Sequence, residues 1–446
     1  MATSREFGYR EELNRALSTQ DLVIYGLIFM VPIAPYSPFG FVWDQAKGMV
    51  PLAYFVGLVG MVFTAMSYAQ MSRAFPVAGS VYTYAQRGLH EVAGFLSGWL
   101  ILLDYILVPA LLYLFSAAAL RPLLPGVPTW MWVAGFVGFN AFVNLLGIQF
   151  TATLNRYMLA IELVVLGLFV GMGLWALYHG AGAGGLTLKP FYNPQVFSLS
   201  MVVGATSIAV LSFLGFDGIS TLAEESRGGE KSVGRAVLWS LLLVGALFML
   251  QTWVATDLAQ GMTFSSPDTA FYQVIERAGG AWLRLVSSLA VVMASAVANA
   301  IAAQAAVSRI LFAMARDGKL PAMFAKVHSR YKTPYVSTLA VALVSLVVGI
   351  VFSTRMDNLS VIVNFGALSS FLLLHLAVIN HFFIRGRSGR WLQHLVFPVV
   401  GAAVIGFVLL EMDISAKILG ACWIGLGVVY YLVLTLVMKK PIQLEI

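Results

Sequence analysis

The chain has 446 residues, 60% of them hydrophobic and only 11% charged. Soluble globular proteins are nearer half apolar and a quarter charged. A single water-soluble domain is therefore excluded, and one cysteine, Cys422, excludes a disulfide scaffold. The net charge of +7 would suit nucleic acid if gathered in a patch, but the basic residues are scattered between apolar runs, which argues against that partner. What remains is a polytopic membrane protein. At about 20 residues per crossing helix, the length allows roughly a dozen spans.

Residues 1–20 mix Arg5, Glu6, Arg10, Glu11, Glu12 and Arg15 and carry no apolar run ending in small residues. The first apolar segment is thus expected to be kept as a span and not removed as a leader. Hydropathy, with breaks at charge, Pro and Gly, places spans near 21–43, 50–72, 92–120, 127–148, 155–178, 199–223, 233–257, 281–308, 335–354, 359–384, 393–411 and 416–438. Charge placement supports this pattern of twelve. If Met1 is cytoplasmic, only Lys47, Arg121, Lys189, Arg277, Arg284, Arg355 and Lys417 fall outside, and the other 20 of the 27 Lys and Arg fall inside. Both termini are expected on the cytoplasmic side of the cell inner membrane.

Two spans are interrupted in a way that a continuous helix does not tolerate. The first carries Pro32, Pro35 and Pro38 followed by Gly40, and the sixth carries Gly215 and Gly218 around Asp217. An internal proline removes a backbone donor and clashes with the preceding turn. Unpaired backbone at membrane depth survives only where it is buried in protein or lines a polar cavity. A simple kink would account for either break alone. As the opening spans of two successive five-span units, the pair points to a transporter of inverted repeats, with repeats at about 21–178 and 199–384 and two further helices at about 393–438.

Of the 20 Asp and Glu, only Asp104, Glu162 and Asp217 lie well inside the spans, and no Lys or Arg lies comparably deep. An ionisable group at such depth is costly and is a functional candidate by default. Carboxylates without basic partners call for a proton, a metal ion or a substrate ammonium; the bland alternative is protonated packing residues. His375, in the tenth span, reads as a packed interface residue and not as a proton relay.

Three stretches carry a resemblance to the amino acid–polyamine–organocation superfamily of permeases. Ala74–Tyr84 (AFPVAGSVYTY) is similar to its FPxAGSxYxY signature in the loop after the second span, and Ser308–Pro321 (SRILFAMARDGKLP) to its SRxLFAMARDGxLP signature. Ser212–Glu225 (SFLGFDGISTLAEE) resembles the broken sixth helix of bacterial putrescine importers. The resemblance implies an all-α fold of twelve transmembrane helices in five-plus-five inverted repeats with discontinuous first and sixth helices. It implies a substrate held between those helices, a carboxylate on amides of the first and an ammonium on carbonyls of the sixth, consistent with the polarity of helix ends. On this chain that nominates Val31, Pro32, Ile33, Ala34 and Pro35 on one side and Leu211, Ser212, Phe213, Leu214 and Gly215 on the other, with Asp217 just beyond.

Two departures stand out. The glycine-rich stretch expected in the first helix of amino acid permeases is Phe29–Pro35 here, bulkier and with two amides lost to proline. The aspartate that putrescine importers carry near Ser37 is absent. Asp104 falls on the face of the third helix that, in relatives, approaches the substrate side chain. Glu162 falls where some proton-coupled relatives place a lysine in the role of a sodium ion, and a carboxylate there can take up a proton. Ser295 and Asn299 lie in the region of a sodium site without a convincing hydroxyl pattern.

A membrane enzyme would need a metal or cofactor cluster, and the chain has no His/Cys/Asp grouping with ligand spacing and no glycine-rich phosphate loop with a lysine. A transporter-like sensor would need an appended soluble domain. The expectation is therefore a secondary active transporter, without cofactor, that imports a small amine-bearing solute (an amino acid or polyamine) by alternating access with a proton as coupling ion. An exchanger of amino acids or amines is the alternative. Substrate, coupling ion and oligomeric state are not written in the sequence.

Overall fold

A computed structural model describes residues 17–75, 80–146, 152–227, 230–316, 320–331 and 333–437. Among them there is no β-strand, only an isolated bridge between Leu17 and Ser226. Nine helical segments in the described chain are long and apolar enough to cross a membrane, and Leu199–Phe213 and Tyr335–Val351 are shorter apolar helices. With α6, Thr129–Leu145, they lie along the twelve expected spans, although the segment of the eighth begins well before 281, at Pro267, and the apolar helix of the sixth ends at Phe213.

The first span is broken. α1 (Thr19–Met30) starts at a capping box in which Ser18 accepts from the Asp21 amide and Asp21 accepts from that of Ser18. It stops at Val31, whose φ of 55° is a left-handed conformation rare for a β-branched residue. Pro32 is the cause, because a proline bars its predecessor from the helical region. A single 3-10 turn, Ala34–Tyr36, leads into α2 (Phe39–Ala46).

α3 (Val50–Ala74) and α5 (Glu91–Leu120) flank a short helix, α4 (Ser80–Gly88). The first signature was expected in a loop; Pro76–Gly79 lie outside the described residues, but its second half forms the start of α4. α7 (Ala152–Tyr178) follows α6. The sixth span breaks as expected: α8 (Leu199–Ala209) tightens into a 3-10 turn over Val210–Phe213, and a second 3-10 stretch runs over Phe216–Glu225. The residue between them that turns the chain is Gly215, at φ 110°.

α9 (Glu230–Leu258) is followed by α10 (Ala270–Val291), α11 (Ala300–Arg316), α12 (Tyr335–Val351), α13 (Met356–Val378), α14 (Phe397–Glu411) and α15 (Ile414–Leu432). α10 begins eleven residues before the eighth span expected at 281, because the helix contains a reversal at Gly280, φ 77°. The apolar crossing starts at that glycine, and the part before it carries Glu276 and Arg277. Residues Asp317–Lys319 of the second signature lie outside the described residues; Ser308–Arg316 belong to α11.

α3 packs along α9, α5 along α13, and α1 along α9. Buried amides tie helices across the bundle: Asn140 donates to the Ala296 carbonyl at 2.7 Å, and Asn364 to that of Ser207 at 2.6 Å. α15 is docked on α5 by a reciprocal pair, the Trp99 and Trp423 indoles stacking at 4.6 Å and each donating to the other's carbonyl at 2.8 Å. Large apolar side chains such as Leu343, Trp175 and Leu410 point outward, as a lipid-facing surface requires.

Candidate functional site

The two breaks meet. A Cβ placed on Gly215 would lie 2.4 Å from the Phe29 ring and 3.0 Å from the Phe29 carbonyl oxygen, so the sixth span turns directly against the end of α1. Beside this contact lies a cavity of about 80 Å³; one water needs roughly 10–15 Å³ by such a measure, so the space takes several waters or one compact solute.

The first span contributes Phe29, Met30, Val31, Ala34, Ser37 and Pro38 to the walls, and the sixth contributes Leu211, Ser212, Leu214, Gly215 and Asp217. α5 contributes Asp104 and Tyr105, then Val108, Leu111, Leu112 and Phe115. The spacing 104, 108, 111, 112, 115 is one face of a helix; extending it from Asp104 would have found this apolar wall in the sequence. The fourth wall is a π-helical stretch, Val292–Asn299, which presents Ser295 and Asn299. Asn299 donates to the Phe29 carbonyl at 3.3 Å and so caps the end of α1.

Of the residues nominated from sequence, the structure brings Val31, Ala34, Asp104, Leu211, Ser212, Leu214, Gly215 and Asp217 to one cavity. Pro32, Ile33, Pro35 and Phe213 are buried but are not part of its lining. Phe213 turns away to pack on Tyr54 and Phe248. The Pro32 carbonyl accepts from Gln251 of α9 at 2.9 Å. Glu162 sits in α7, 3% exposed, and is not on the cavity wall; its Oε2 has no partner in the described chain. His375 is fully buried, with Nδ1 2.8 Å from the Ser67 hydroxyl and Nε2 3.3 Å from that of Thr64, the packed interface expected of it.

The polarity of the cavity is one-sided. Asp217 accepts from the Tyr105 hydroxyl and the Gly215 amide, both at 3.3 Å, while Oδ1 of Asp104 is buried with no partner. No basic side chain belongs to the described lining. On the first break, Pro32 and Pro35 have no N–H, and those of Val31, Ala34, Tyr36 and Ser37 close turns within the segment at 2.8–3.3 Å. The amides that could receive a carboxylate are thus largely spent, and the ionisable groups on offer are acidic.

Ion pairs stand at both ends of this arrangement. Arg121, at the end of α5, meets Asp268 at 2.8 Å, and Arg156 of α7 meets Asp21 of α1 at 2.7 Å.

A helical membrane body opened by two broken helices around a carboxylate-lined cavity is the build of a solute transporter of the discontinuous-helix kind. The chain belongs to the amino acid permease family, whose model matches residues 19–439. It is 32% identical to the low-affinity putrescine importer PlaP of Escherichia coli (strain K12), over 97% of this chain and 96% of that one. It is 28% identical to the branched-chain amino acid permease BcaP of Bacillus subtilis (strain 168), over 85% and 82% of the two chains. It is 25% identical to the methylthioribose transporter of the same organism, over 94% and 93%.

Proposed function

We propose that this permease imports a small aliphatic amine without a carboxylate, such as putrescine, coupled to protons by alternating access. The reading rests on one observation: two carboxylates face the cavity between the breaks, while the first break has few free amides for an anion. A cation entering there offsets charge whose desolvation is already spent, whereas a zwitterion would bring a carboxylate to a site with no basic side chain in its described lining and few free amides. The likeness to a putrescine importer over nearly the whole chain supports the same reading. Asp104 is the ammonium partner, and Asp217, held by Tyr105 and Gly215, orients the second face of the site.

Proton traffic is assigned to Glu162, which is buried away from the cavity with an unpartnered oxygen. The two broken helices open repeats at about 21–178 and 199–384, with the helices at about 393–438 outside the moving pair. The basic asymmetry of the loops supports a cytoplasmic location for both termini.

Uptake of labelled putrescine and of zwitterionic amino acids into proteoliposomes, driven by an inward proton gradient, tests this. Putrescine should accumulate and the amino acids should not compete at a hundredfold excess. Asp104→Asn should weaken putrescine affinity at least about tenfold, or about 1.4 kcal/mol, with protein yield unchanged. Accumulation of an amino acid in place of the amine, or native affinity in Asp104→Asn, overturns the assignment.

A further inference from the structure

A second recess lies far along the chain from the substrate cavity, where the ends of α3 and α4 meet the turn after α13. It has a volume of about 600 Å³ and is lined by Phe75, Arg87, His381, Phe382, Arg385 and Ser388, with Gly386 between the last two. Its described lining holds two arginines and a histidine and no acidic side chain. The transport reading makes no use of it.

The basic groups are held in place. Arg387, at φ 43°, turns the chain sharply, and the Gly386 and Ser388 amides close on the His381 and Phe382 carbonyls at 3.0 Å. Arg385 is fastened by one nitrogen to the Leu89 carbonyl at 2.7 Å, and Asn380 beside it donates to the Gly88 carbonyl at 2.7 Å. Arg87 lies over the Phe75 ring at 5.6 Å, and the His381 ring leans on the same phenyl at 4.9 Å. From the other side His394 stacks on Phe382 at 4.4 Å and bonds the Ser388 hydroxyl at 2.8 Å. Arg87 and Arg385 both line one opening with aromatic walls, and a guanidinium presents a planar fork matched to phosphate oxygens. The recess also lies on the side of the membrane that carries most of the basic residues, where anionic headgroups attract such clusters.

We propose that this recess binds a phosphate group, held by Arg87 and Arg385, with Phe75 and Phe382 covering the carbon skeleton attached to it. The chemistry fits two sources, the phosphodiester headgroup of an anionic lipid and a free phosphate in the adjoining water.

The test uses the full-length protein purified in detergent and phosphate-free buffer, with thermal stability followed during titration of phosphatidylglycerol, phosphatidylcholine or inorganic phosphate. The wild type should be stabilised by phosphatidylglycerol or by inorganic phosphate, whichever is the source, and not by phosphatidylcholine. The double variant R87Q/R385Q should raise the midpoint at least tenfold. R390Q, an exposed arginine nearby that does not line the recess, should leave it within twofold. If the double variant yields no folded protein, R385Q alone takes its place, since that side chain is exposed. Stabilisation by neither anion, equal response to phosphatidylcholine, or equal loss in R390Q and the recess variant overturns the proposal.

Discussion

Replacing Gly215 by alanine probes the contact on which the whole site depends. The added Cβ would lie 2.4 Å from Phe29 Cδ1 and 3.0 Å from the Phe29 carbonyl oxygen, at a residue whose φ is 110°. A side chain forced into that backbone region costs about 1–3 kcal/mol, and overpacking against a fixed neighbour costs about 1–3 kcal/mol more. Gly215→Ala should therefore destabilise the protein by about 2–6 kcal/mol. The two contributions are separable, because Phe29→Ala removes the ring and leaves the backbone conformation untouched. In a double-mutant cycle read by thermal unfolding in detergent, Phe29→Ala should recover the overpacking share of about 1–3 kcal/mol. The remaining penalty should persist in both backgrounds. A Gly215→Ala protein that unfolds like the wild type refutes the meeting of the two breaks described here. Full additivity of the two substitutions would remove the ring contact and leave backbone strain as the sole cause.

Further outcomes follow from single contacts. Glu162→Gln should bind amine with no pH dependence, continue exchange across the membrane and fail to accumulate it; accumulation driven by a proton gradient alone would exclude Glu162 as the coupling group. Ser67→Ala leaves a nitrogen of the buried His375 unpaired and should cost about 1–3 kcal/mol in thermal stability, which a Ser67→Thr variant should largely restore. Arg156→Gln breaks an exposed ion pair and should change stability by less than about 1 kcal/mol, so a larger loss would assign that pair a structural role. With the native Cys422 first changed to serine, cysteines placed at Lys189 and at Arg227 should differ in intact cells: an impermeant thiol reagent should label the first and not the second.

The positions of the spans, the two interruptions and the three deep carboxylates were legible in the amino-acid order. Each of these is a local property, a run of apolar residues long enough to cross lipid, a proline that denies its predecessor helical angles, or a charge without a nearby partner. Even the start of the eighth span was readable, because Gly280 divides a charged stretch from an apolar one, although α10 itself runs through it. Local order could not reveal which side of a broken segment faces the cavity. Phe213 and Leu214 are neighbours with similar chemistry, yet the first packs on Tyr54 and Phe248 and the second lines the site, the first being the last residue of a 3-10 turn and the second extended. In the same way Glu162 and Asp104 look alike in sequence, and only the packing of α7 and α5 separates a buried carboxylate off the cavity lining from one on the wall. The Asn299 cap of α1 joins residues 270 apart, and the bond from Gln251 to the Pro32 carbonyl joins residues 219 apart. Such contacts are settled by how whole helices pack, since a side chain's partner at that distance is chosen by the fold and not by its neighbours in the chain.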